Sequence, residues 1–168
     1  VSSSRCPWSS PAALVATVVA LVGVVLGGVA CVQPVGPART AEDYELKAKD
    51  TAETVLSSVR TASLAVDVAD RDRAFPPYVS VVLSDAEDDA GGAVSTFDSI
   101  QPPGRSSDRL REQLGDLLDR AESALSGARI AARRVDDDGL AAQAAPLDEV
   151  ATDLEAFITD VTDALGRS

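Results

Sequence analysis

Whatever chemistry this 168-residue chain performs, it performs without histidine, which is absent from the sequence. The commonest general base, transition-metal ligand and triad partner is therefore missing. The Glu-x-x-His pairs that hold iron or manganese inside four-helix bundles cannot occur either. Serines are plentiful, yet they form no Gly-x-Ser-x-Gly elbow, and no glycine-rich loop is placed to cradle a phosphate. The two cysteines, Cys6 and Cys31, flank a long apolar stretch and cannot pair inside a domain that follows it. The residue types argue against an enzyme and call for no cofactor.

Three clusters retain the means to recognise something. Asp85, Glu87, Asp88 and Asp89 crowd one segment, and Asp85 with Asp89, four apart on a helix, would offer oxygens to a hard cation such as Ca²⁺. Their spacing is not that of a calcium loop, and the plainer reading is a solvated acidic face. Arg71, Arg73, Arg129, Arg133 and Arg134 fall near the ends of predicted helices. Gathered together they would bind an anionic envelope polymer or an acidic protein; otherwise they complement helix dipoles and the nearby Asp136 to Asp138. Phe75-Pro76-Pro77-Tyr78 is a rigid aromatic corner in a chain with few aromatics. It has the composition of a protein-contact hot spot, with plugging the open end of a bundle as the alternative role.

The element that positions all of these lies at the start. Ala12 to Cys31, AALVATVVALVGVVLGGVAC, contains no charge. As a helix up to Ala30 it would reach about 28 Å, close to the roughly 30 Å hydrocarbon core of a bilayer. Gly28 and Ala30 put small residues where a signal-peptide cleavage site requires them. On Gly28-Val29-Ala30-Cys31 the segment resembles the bacterial lipoprotein signal peptide, matching its lipobox at Ala30 and Cys31. That resemblance covers residues 1–31 and implies cleavage after Ala30 and a lipid on Cys31. The rival reading is an uncleaved transmembrane anchor, in which Gly23, Gly27 and Gly28 are tolerated. On either reading the chain is held at the cell membrane with its domain on the extracytoplasmic side.

All 27 acidic residues lie at or after Glu42, and Arg5 is the only one of the 15 basic residues ahead of the apolar stretch. The part that follows is therefore more acidic than the whole chain, whose net charge is −12. Such a domain repels nucleic acid and anionic lipid.

Residues 32–40 carry Pro34, Gly36 and Pro37 and read as a short stiff linker. Residues 41–168 then read as one all-α domain, an up-down-up-down four-helix bundle preceded by the apolar signal or anchor helix. Apolar residues recurring every three or four positions place its helices at about 41–71, 78–100, 107–135 and 140–165. The clearest seam runs Tyr44, Ala48, Ala52, Val55, Val59, Ala62, Val66 and Ala69. In the second helix the expected seam is Val79, Val82, Ala86, Ala90, Ala93, Phe97 and Ile100, and Gly91-Gly92 should make it the softest. The last helix either starts near Leu140 and kinks at Pro146, or starts at Pro146.

The function expected is non-enzymatic: a membrane-anchored, lipoprotein-type interaction or scaffold module of the bacterial envelope, with an envelope protein as partner. The alternative is an envelope lipoprotein that binds a ligand or metal through carboxylates or a pocket between helices.

Overall fold

Thr40 opens the first helix. Its backbone is extended, and its Oγ1 accepts a hydrogen bond from the Asp43 N–H at 3.0 Å, satisfying one of the free donors of the opening turn. Glu42 and Asp43 then set negative charge at the positive end of the helix dipole. The computed structural model describes residues 38–71 and 73–167. In it α1 spans Ala41–Asp70, α2 Pro76–Asp98, α3 Arg105–Arg134, the short α4 Asp137–Ala141, and α5 Ala144–Leu165. The described residues are all-helical, with no strand among them. The apolar stretch, the cleavage site at Ala30, the lipidation site at Cys31 and most of the 32–40 linker lie outside them. Among the described residues no helix is long and apolar enough to cross a membrane.

Helix α2 begins at Pro76, earlier than the periodicity indicates, because Pro76 and Pro77 occupy its first positions, where a missing N–H costs nothing and the fixed φ suits a helix. The helix runs unbroken through Gly91 and Gly92. Leu140 does not open the last long helix. It belongs to α4, where the Asp136 side chain accepts a hydrogen bond from the Gly139 N–H at 2.9 Å. A Cβ on Gly139 would approach the Asp136 carboxylate to 2.3 Å, so glycine is what permits this closure. Helix α5 starts at Ala144, and Pro146 sits in its first turn instead of breaking its middle.

The four long helices form a bundle-like fold around one apolar core. Helix α1 packs against α2, α3 and α5, and α3 packs against α2 and α5, while α2 and α5 make no extensive contact. The Tyr44 ring, near the start of α1, meets the Phe97 ring at the end of α2, with centroids 5.4 Å apart. Arg60 of α1 pairs with Glu155 of α5, and Arg120 of α3 reaches Asp153 and Glu149 of α5 at 2.7 and 3.2 Å. The core is rich in alanine. Ala48, Ala52 and Ala62 of α1 and Ala121, Ala124 and Ala128 of α3 are all buried, and such small side chains let these two helices touch across the bundle.

The α1 seam is buried from Tyr44 to Val66, with Ala69 half-buried at its end. On α2 the inward face is rotated from the expected one: Leu83 and Val94 are buried, whereas Val82 and Ala93 are only partly so. Val81, Val82 and Leu83 are consecutive and all apolar, so periodicity alone left their rotation open. Packing against both α1 and α3 chooses Leu83.

Candidate functional site

The two ends of the bundle differ in how their aromatic residues are used. At the end where α1 begins, Tyr44 and Phe97 are fully buried. Arg111 of α3 fastens that end: its guanidinium donates to the carbonyl oxygens of Ile100 and Asp98 at 2.8 and 2.9 Å, and to Asp98 Oδ1 at 3.3 Å. These are orphan acceptors at the end of α2, which a cation is well suited to satisfy. The Tyr44 hydroxyl is buried without a hydrogen-bond partner among the described residues. Burial raises the Tyr44 phenol above its ordinary 10.0, and the positive charge of Arg111 works against that rise.

At the opposite end Phe75 is 77% exposed and Tyr78 65% exposed. They do not plug the bundle. Phe75 holds the extended position just before α2 and carries no side-chain cap, which leaves its ring outside the helix packing. Val135 is also turned outward and 68% exposed. It ends α3 in the left-handed conformation, φ 53° and ψ 44°. Its N–H donates to Ala132 O at 3.2 Å and the Asp136 N–H donates to Ala131 O at 3.1 Å, the pair of bonds that closes a Schellman cap. Glycine is usual at such a cap, and a β-branched residue there is strained by about 1–2 kcal/mol. No glycine stands at that position to betray the cap in the sequence.

Between Pro76 and Val135 lies a small cavity of about 140 Å³, walled by Ala69, Ala74, Val79, Ala132 and Leu140 and, on its polar side, by Asp136 and Asp137. A space of this size, part apolar and part polar, holds about one benzene-sized group. The tip thus combines two exposed aromatic rings, a strained exposed valine and a cavity the size of one side chain.

The arginines are engaged in different ways. Arg71 is held by Asp67 of its own helix at 2.6 Å. Arg129 reaches away from the tip to Glu87 on α2, its Nη2 donating to Oε1 at 3.3 Å, and this carboxylate raises the guanidinium above its ordinary value. Arg73 lies exposed in the α1–α2 connection, and Arg133 and Arg134 are exposed in the last turn of α3. Asp85 and Asp89 are exposed on α2. Among the described residues no three or more acidic, cysteine or histidine side chains are grouped to hold a metal ion.

No protein-family model matches the chain, and no curated protein or solved structure matches it either.

Proposed function

We propose that this chain is a non-enzymatic interaction or scaffold module of the bacterial envelope, a lipoprotein-type helical bundle of up-down-up-down topology held at the membrane by its N-terminal segment. The contact surface is the Phe75/Tyr78/Val135 tip, at the end of α1 remote from Thr40. The observation that carries the reading is the exposure of Phe75 and Tyr78 at the same end as a small cavity. Exposed aromatic anchors next to a pocket for a single side chain are the usual makings of a protein-contact hot spot.

The test replaces Phe75 and Tyr78 together by Ser in the full chain. Thermal unfolding should shift by about 2 °C or less, as for surface positions. Crosslinking to the envelope partner in the membranes of the native host should be lost. Unfolding of the variant, or undiminished crosslinking, would remove the tip from consideration. The mode of attachment is read from the intact mass of membrane-extracted protein beside a Cys31→Ser version. A product that starts at Cys31 with added acyl mass, lost on substitution, is the lipoprotein outcome; a full-length mass unchanged by it is the transmembrane-anchor outcome.

A further inference from the structure

Helix α3 meets α5 less closely than α1 meets either of its antiparallel neighbours, and a groove of about 630 Å³ separates the two helices at the end where α1 begins. Its floor is apolar, made by Leu110 and Leu117 of α3 and by Phe157 and Val161 of α5. Its rim is acidic: Glu45, Asp116, Asp153 and Asp160 line it against a single Arg109. Asp153 is engaged by Arg120. No ion pair joins Glu45, Asp116 or Asp160 to a cation among the described residues.

We infer that this groove is a docking site for a basic amphipathic helix of a partner protein. Leu110 and Leu117 lie two turns apart on α3, about 10 Å, which matches the reach of apolar side chains at positions i, i+3 or i+4, and i+7 of a bound helix. The unpaired carboxylates on the rim complement lysine or arginine flanking those side chains and disfavour an acidic segment. The docked helix lies alongside α3 and α5 and covers the half-buried Leu110 and Leu117. The site is separate from the tip: Leu117 and Val135 are about 27 Å apart along α3. A bundle with two such surfaces joins two partners, which is what a scaffold does.

The probe is a synthetic amphipathic helix of leucine and lysine with a benzophenone at its centre, photo-crosslinked to the full chain in zwitterionic lipid nanodiscs. Adducts are mapped by mass spectrometry, so that peptide lying on lipid is distinguished from peptide in the groove. Labelling should concentrate on residues 106–117 and 156–164. It should fall about tenfold when Asp116 and Asp160 are both replaced by Lys, and similarly when the probe's lysines are replaced by glutamate. The Phe75/Tyr78 double substitution should leave it unchanged, which keeps this site distinguishable from the tip. Adducts scattered over the chain, or equal labelling by the acidic probe, would overturn the assignment. So would labelling that falls as the chain is concentrated, since a second copy would then be the occupant.

Discussion

The two ends of this bundle use the same kinds of residue for opposite purposes. Where α1 begins, Tyr44 and Phe97 are 0% and 1% exposed, and Arg111 ties down the last carbonyls of α2. At the far end Phe75 and Tyr78 stand in solvent, and Val135 holds a backbone conformation that favours glycine. Composition does not separate the two ends, since each offers two aromatic residues and nearby arginines. Position relative to the helix does: Tyr44 and Phe97 lie on inward stripes, whereas Phe75 precedes its helix and Tyr78 lies off the inward stripe of α2. One end is built for stability and the other leaves aromatic surface uncovered.

The contrast breaks most readily at the aromatic rings. Phe97→Ala should cost about 3–5 kcal/mol in chemical denaturation, while Phe75→Ala should stay within about 0.5 kcal/mol. Equal losses would show that both ends are core.

Next in size is the clamp. Arg111→Met should cost about 1–3 kcal/mol, because it strands the carbonyls of Asp98 and Ile100, and hydrogen exchange should accelerate at the end of α2 before it does elsewhere. The matching change at the open end has the other sign. Val135→Gly should raise stability by about 1 kcal/mol by releasing the left-handed strain. If it also weakens partner capture, the strain holds the tip in its binding shape.

The smallest effect concerns Tyr44. Removing an unpartnered buried hydroxyl with Tyr44→Phe should be neutral or stabilising by about 1 kcal/mol at pH 7. The phenol titrates higher folded than unfolded, so its contribution is full below the ordinary value of 10.0 and is lost as pH rises from there through the folded value. The gap between native and Tyr44→Phe stability should therefore widen in favour of the variant above pH 10.0, as read from urea melts at a series of alkaline pH values. A constant gap would mean that the phenol is hydrated in the folded state.

Much of the fold could be read directly from the chain. The unbroken stripe from Tyr44 to Val66 specifies α1, because periodicity is a local property of consecutive residues. The absence of histidine is likewise read directly from the chain. The candidate site was legible only as composition. Phe75-Pro76-Pro77-Tyr78 announces a rigid aromatic corner, but whether such a corner closes a bundle or projects from it depends on where the neighbouring helices end.

The sequence by itself determined the four long helices to within a few residues at their ends, their acidic character and the alanine content that brings α1 and α3 together. Only the tertiary structure decided that Leu83 faces inward in place of Val82, and that Arg129 turns to Glu87 instead of the tip. It also placed Val135 outside the core, and parted α3 from α5 far enough to leave a groove. The physical reason is that each outcome depends on a neighbouring helix. A helix rotates about 100° per residue, so among Val81, Val82 and Leu83 the buried face is chosen by the helices packed against it and not by the segment itself.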